Sequence, residues 1–202
     1  PFDPDARRER LGATPLPIRQ IGELLWVYTA PGTTAPSEPN VPDALQGERD
    51  TRTYLERIWA CHWTRAMENM LDSPHLPFVH RTTIGRPLLR RMKRDSRMEL
   101  EWTPAPWGGR QTMKLDGEGG LAWLEFHKPN VMALHIPIPG KRFRVHALVI
   151  PVDEQTTRLM VVGSRDFARW RVLDPLFNWS NGRIADQDRD VVESIWPKEV
   201  PA

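Results

Sequence analysis

The sequence predicts an α+β fold, a curved antiparallel sheet of about six or more strands wrapped on a C-terminal helix. Three observations carry that expectation. From residue 97 onward, apolar and polar residues alternate with period two through a run of short segments, as strands with one buried face do. The links between those segments are turn-length, for example Asp116-Gly117-Glu118-Gly119-Gly120, and consecutive strands joined so tightly pair antiparallel. The stretch Leu173–Ile195 has no proline after Pro175 and reads as one or two helices. Strands gathered apart from helices mean α+β rather than an alternating fold.

In chain order, Ile21–Thr29 reads as a strand and the proline-rich stretch 30–44 as an extended connector. Leu55–Trp63 reads as a second strand. Thr64–Asp72 has good helix formers and neither Gly nor Pro, so it reads as a helix. Pro74 ends it, because proline biases the residue before it away from helical backbone. Then the sheet begins. Met98, Leu100 and Trp102 alternate with Arg97, Glu99 and Glu101; Gln111–Leu115, Leu121–Phe126 and Val131–Ile136 follow. Phe143, Val145, Ala147 and Val149 alternate with Arg144 and His146, and Arg158–Phe167 closes the run. The 20 prolines punctuate short apolar segments, which favours turn-linked strands over a helix bundle.

With 202 residues, 40% of them hydrophobic and 27% charged, the chain has a globular balance. It fits one large domain or two small ones. Its longest apolar runs, such as Val131–Leu134 and Ala147–Ile150, fall far short of the ~20 residues a membrane helix needs. A net charge of +2 gives no argument for nucleic acid or an anionic membrane. The single cysteine, Cys61, excludes a disulfide framework and any cysteine-built zinc or iron–sulfur site within this chain. No signal peptide is visible, so a cytoplasmic location is expected. A start at Pro1 without an initiator Met reads as a piece of something longer.

The chemistry concentrates in Glu68–His80, E-N-M-L-D-S-P-H-L-P-F-V-H. His75 and His80 stand five apart, which on a regular helix leaves them ~140° apart. Zinc proteases use a spacing of four on an unbroken helix. Here Pro74 and Pro77 break the helix, and a broken backbone can aim both imidazoles at one point. Two histidines need a third ligand, a carboxylate if the metal is a redox-active iron with open positions. The competing reading is two unrelated histidines, one on the surface and one hydrogen-bonded in the core. Asn69 and Asp72, spaced ahead of the pair, tip the balance toward a site.

Asn69-x-x-Asp72-x-x-His75-x-x-x-x-His80 resembles the mononuclear-iron motif of the Rieske non-haem iron oxygenases, in the catalytic domain of their α subunit. Cys61-His62-Trp63 is similar to the strand that runs into the motif helix, and Ile21–Tyr28 to the strand that closes the preceding Rieske domain. Gln187-Asp188-Arg189-Asp190-Val191-Val192-Glu193 resembles the last helix, whose acidic residue is the third iron ligand. The resemblance puts that ligand at Asp188, with Asp186 and Asp190 as competitors. It covers nearly the whole chain and points to the branch of vanillate and dicamba O-demethylases and pheophorbide-type oxygenases. Trp179, nine residues before Asp188, is similar to a pocket tryptophan of the demethylase-like members. Pro129-Asn130-Val131 resembles the strand bearing a substrate-contacting asparagine.

The resemblance implies a mononuclear Fe(II) held by His75, His80 and Asp188. Asp72 would link a cluster histidine of a neighbouring subunit to His75 as an electron relay, which implies a closed ring, a homotrimer. Asn69 would stand beside the ligands without being one. Met70 and Leu76 would face the substrate from one side, Asn130 and Trp179 from the other. The implied reaction is O₂-dependent monooxygenation, hydroxylation or O-demethylation, of a small apolar cyclic molecule. Its electrons would come from a Rieske [2Fe–2S] domain served by a ferredoxin or reductase. That cluster needs two Cys and two His in paired C-x-H and C-x-x-H units, and neither unit occurs here. The chain therefore reads as 1–44, a strand and connector following a missing Rieske domain, and 45–202, the mononuclear-iron domain.

Other readings remain open at this point. A sheet gripping a long helix, the helix-grip or START-like arrangement, also serves non-catalytic lipid and hormone carriers, and a vestigial histidine pair fits there. A zinc hydrolase with the same triad would need a general base, for which only Glu68 is near. His62, His127, His135 and His146 read as strand or core histidines, and Cys61 as a small buried hydrophobe. The basic run Arg86–Arg97 reads either as a docking face for an acidic ferredoxin or the neighbouring subunit, or as a solvated surface.

Overall fold

The computed structural model describes residues 15–30, 38–47, 50–119, 122–196 and 198. They form two compact units, one ending at Gly47 and one starting at Glu48. In the first, Ile18–Ile21 (β1) and Leu24–Val27 (β2) make an antiparallel hairpin, where a single strand over Ile21–Thr29 is expected. The cause is Gly22. It adopts φ +60° and with Glu23 forms a two-residue loop, a conformation that side chains disfavour. Asp43–Gln46 (α1) is a single helical turn that overlaps the end of the expected connector. Residues 31–37 of that connector lie outside the described residues.

The second unit opens with Thr51–Trp59 (β3), followed by Trp63–Leu71 (α2), Leu76–Val79 (α3) and Arg86–Arg91 (α4). Then come Met98–Ala105 (β4), Gly108–Leu115 (β5), Trp123–His127 (β6), Val131–Ile138 (β7), Lys141–Asp153 (β8) and Thr156–Arg165 (β9), and last Asp174–Val192 (α5). The strands form one seven-stranded antiparallel sheet in the order β3-β9-β8-β7-β6-β5-β4. The α+β expectation holds: β4 to β9 are consecutive hairpins, and α5 is one 19-residue helix rather than two. β3 completes the sheet by pairing with β9, from Thr51↔Arg165 to Trp59↔Thr157.

β3 runs four residues ahead of the expected Leu55–Trp63, and Cys61-His62-Trp63 leaves the sheet. His62 caps α2 instead: its Nδ1 accepts from the Thr64 amide at 3.4 Å, satisfying one of the donors a helix start leaves unpaired.

Alternate residues of the strands supply the core. Leu124, Met132, Leu134, Ala147, Val149, Leu159 and Val161 cluster with Ala66, Met67 and Met70 of α2 and with Ala185 and Val192 of α5. The buried residues of α2 (Ala66, Met67, Asn69, Met70) and of α5 (Asn181, Gly182, Ala185, Asp188, Val192) each fall on one stripe. Both stripes contain polar side chains, which is unusual for core-facing positions. α5 is anchored at both ends. Arg165, at the end of β9 and 1% exposed, pairs with Asp174 at the helix start, and its guanidinium lies 4.1 Å over the Phe177 ring. Beyond the other end, Glu193 Oε1 accepts from the Ala60 amide at 2.7 Å. No helix among the described residues is long and apolar enough to cross a membrane.

Candidate metal centre

α2 stops at Leu71, and the chain turns at Asp72 (φ −86°, ψ 82°). It restarts twice: as a 3₁₀ turn over Ser73–His75 with Pro74 in its first turn, and as α3 with Pro77 in its first turn. Proline is compatible with these positions because a first-turn N–H has no helical acceptor. Each restart reorients the axis, and the five-residue spacing that would splay two side chains on one helix now converges them. His75 Nε2 and His80 Nε2 stand 3.2 Å apart, with the rings at 65°. The turn after His80 is equally constrained. The Thr83 and Gly85 amides both donate to the His80 carbonyl, at 2.9 and 3.0 Å. A Cβ at Gly85 would sit 1.9 Å from the Leu76 carbonyl oxygen, so no larger residue fits this turn.

Asp188 arrives from α5, 4% exposed. Its Oδ1 lies 3.0 Å from His80 Nε2 and 3.5 Å from His75 Nε2. Ligand bonds of ~2.1 Å at right angles put neighbouring donor atoms about 3.0 Å apart, so the three atoms have the separations of three adjacent ligands of one ion. Two imidazoles and one carboxylate suit a divalent iron with positions left open. Among the described residues this is the one group of three His, Cys, Asp or Glu side chains close enough to share an ion. Asp186 is drawn off by Arg57 (2.9 Å) and Arg189 (3.4 Å), and the Asp190 side chain is exposed. Of the three neighbouring carboxylates, only Asp188 turns inward.

The donors are held by further side chains. Asn69 donates from Nδ2 to Asp188 Oδ1 at 3.0 Å. Gln187 Oε1 accepts from the Thr83 hydroxyl (2.9 Å) and from His80 Nδ1 (3.1 Å), while its Nε2 donates to Thr82 Oγ1 (3.2 Å). This network puts the His80 proton on Nδ1 and leaves Nε2 facing the cluster. Asp72 Oδ2 stands 3.8 Å from His75 Nδ1, a buried atom with no hydrogen-bond partner, and the Asp72 side chain is half exposed. Burial lowers the His75 pKa, with the Asp188 charge opposing. Burial acts the same way on His80, but the Asp188 hydrogen bond and charge outweigh it, with help from Gln187, and its pKa is raised. A bound cation would take the place of that proton.

An apolar cavity adjoins the cluster. Met70 and Leu76 line it, with Met132, Phe143 and Ile184 among the other walls and His75, His80 and Asp188 at one end. The two expected contributors from the opposite side do not line it. Asn130 sits in the β6–β7 turn and donates to the Val149 carbonyl at 2.6 Å, a bond that ties the turn to β8. Trp179 is 63% exposed and faces a polar surface recess beside Arg183 and Asp186. On a helix, nine residues from Asp188 is a rotation of about 180°, which turns Trp179 away. Gln187 and Asn181 were not expected at the site. Asn181 stands seven residues before Asp188, and that two-turn spacing is the signal that places it on the same face.

The remaining histidines stay outside the cluster. His62 is the α2 cap. His127 and His135 flank Glu125 at 3.4 and 3.1 Å and stack on Trp107 and Trp123. His146 is fully buried, its Nδ1 donating to the Val162 carbonyl at 3.1 Å.

Residues 59–113 match the family model described as the vanillate O-demethylase oxygenase C-terminal domain, and that segment contains both histidines. Among solved structures, NdmB of Pseudomonas putida CBB5 aligns with a TM-score of 0.73 at 20% identity, over 93% of this chain and 54% of that one. Dicamba monooxygenase bound to dicamba gives 0.69 at 20% identity, over 89% of this chain and 58% of that one. The NdmA QL mutant with caffeine, also of Pseudomonas putida CBB5, gives 0.70 at 18% identity, over 93% and 54%. No curated protein matches in sequence. The chain spans little more than half the length of these structures. At such identities the likeness is one of fold. Together with the family match over the motif, it bears out the resemblance to the Rieske oxygenase catalytic domain.

Proposed function

We propose that this chain is the catalytic part of an O₂-dependent, Rieske-type non-haem iron monooxygenase, with Fe(II) at His75, His80 and Asp188. Residues 45–202 form that part, and 1–44, with the β1–β2 hairpin, the connecting segment after a cluster-bearing domain. The observation that carries the reading is the convergence of three donor atoms, 3.0–3.5 Å apart, at the end of an apolar cavity. Iron bound there would supply dioxygen activation and the insertion of one oxygen atom into a substrate C–H bond.

The chain's own residues do the rest. Asn69 and Gln187 fix the orientation of Asp188 and His80. Met70, Leu76 and the sheet residues exclude water and hold a small apolar organic molecule beside the donors. Hydroxylation at an O-methyl carbon yields a hemiacetal that collapses to alcohol and formaldehyde, so hydroxylation and O-demethylation need the same site. The half-exposed Asp72, 3.8 Å from His75, is the residue through which a neighbouring subunit's [2Fe–2S] domain would pass the electron. A homotrimer served by a ferredoxin or reductase, acting in the cytoplasm, fits that route.

The test is an EPR spectrum of the purified chain, loaded anaerobically with Fe(II) and treated with nitric oxide. A high-spin iron–nitrosyl signal is expected from the wild type and lost in His75→Ala and His80→Ala. A folded wild type without the signal would favour the carrier reading. In the cluster-bearing enzyme, Asp72→Asn is expected to keep both metals and lose most turnover, and normal turnover would remove the relay role.

A further inference from the structure

The cavity beside the histidines contains one buried polar side chain with nothing to bind. Asn181 is 5% exposed and lines the cavity on the α5 face that carries Asp188. Its carboxamide has no hydrogen-bond partner among the described residues, and buried amides are nearly always paired. Its position depends on a glycine. β9 has Gly163 opposite, where a Cβ would lie 2.9 Å from Asn181 Nδ2 and 2.8 Å from Thr53 Oγ1. Thr53 Oγ1 is likewise buried without a partner. Two orphaned polar groups therefore flank a single missing side chain.

The rest of the lining narrows what could fill this place. No Lys or Arg lines the cavity, so a carboxylate entering it would be desolvated without a counter-charge. The Ser73 hydroxyl is already engaged by Gln111. Asn181 lies two helical turns from Asp188, about 10 Å along the axis, the length of a para-substituted ring.

We infer that Asn181 is the polar anchor of the substrate, which is an uncharged, mainly apolar ring compound carrying one carbonyl, amide or hydroxyl group distal to the carbon that is oxidised. This rests on the reading of the histidine cluster as the reacting end. A neutral amide accepts or donates one hydrogen bond to such a group.

Three probes of one shape separate the possibilities: 4-methoxyacetophenone, 4-methylanisole and 4-methoxybenzoate. Their binding is measured by calorimetry on the chain, both metal-free and anaerobically loaded with Fe(II). The ketone is expected to bind about tenfold more tightly than 4-methylanisole, the factor one neutral hydrogen bond supplies, with the benzoate weakest. Asn181→Leu should cancel the ketone's advantage and leave 4-methylanisole unchanged. Asn181→Ala serves if the leucine variant loses its native circular dichroism. An undiminished ketone preference in the variant, a benzoate that ranks first on the wild type, or no binding by any probe would overturn the inference. The nitrosyl spectrum of the same samples reads the metal separately. A missing signal with ketone selectivity intact sinks the iron centre alone, and a normal signal with unaltered selectivity sinks the anchor alone.

Discussion

Asp188 is one of three aspartates in five residues, and what distinguishes it is the company of two amides. Asn69 donates to the Oδ1 that faces both histidines, and Gln187, its sequence neighbour, orients His80. Such supporting bonds cost 10–100-fold in metal affinity when removed. Asn69→Ala is therefore expected to weaken Fe(II) binding by roughly tenfold or more without unfolding the chain, read by competition with a chromogenic chelator. Unchanged affinity would mean that α5 alone holds the carboxylate. Asp186→Ala and Asp190→Ala are the matching controls and should leave affinity as it is, since Asp186 serves Arg57 and Asp190 faces solvent.

Helix α5 brings Asp188 and Asn181 to the sheet, so its placement matters as much as its sequence. The Arg165–Asp174 pair fixes the helix start, and Arg165 is buried to 1% exposure. Removing the carboxylate leaves a buried guanidinium uncompensated, so Asp174→Ala is expected to cost about 3 kcal/mol. The measurement is urea unfolding, and a loss under about 1 kcal/mol would show that Glu193 and the core hold the helix unaided. The alternating pattern and its turn-length links marked every strand from β4 to β9, although Val131–Leu134 of β7 and Val161–Arg165 of β9 are buried on both faces and β4 is largely exposed. It stopped short on β4, which continues through Pro104. Proline is tolerated there because β4 is the sheet edge, a position defined only by the assembled order. The strand expected over Leu55–Trp63 starts and ends four residues earlier, since nothing in Cys61-His62-Trp63 marks His62 as a helix cap.

The whole molecule carries an acid sensitivity in its sheet. Burial lowers the His146 pKa to about 4, with the Val162 carbonyl bond opposing and the charges of His135, Arg144 and His127 adding. The folded chain therefore binds this proton less readily than the unfolded chain, whose histidine titrates near 6.5. The stability contributed by neutral His146 is complete above about pH 6.5 and is lost as pH falls toward 4, to a total of about 3 kcal/mol. Glu125 adds to the loss at lower pH. A hydrogen bond with His127 and the close approach of His135 hold its pKa well below the usual carboxylate range, so its contribution fades once the unfolded carboxyl begins to protonate. Urea midpoints of wild type and His146→Leu should converge between pH 6.5 and 4, and parallel curves would remove His146 as the source.

The sequence by itself determined the class of fold, the six-strand run and the helix that bears the motif, and it singled out His75 and His80 as candidate ligands. These are local properties: periodicity, helix propensity and proline positions act over a few residues. Tertiary structure decided the rest. It joined β3 to β9 across 96 intervening residues, and it turned Asp188 inward while Asp186 meets Arg57 and Asp190 stays exposed beside Arg189. It turned Trp179 outward and spent the Asn130 amide on the Val149 carbonyl. In their place it put Asn181 over Gly163. A helix period says which residues share a face, but only the packed sheet says which face is the inside.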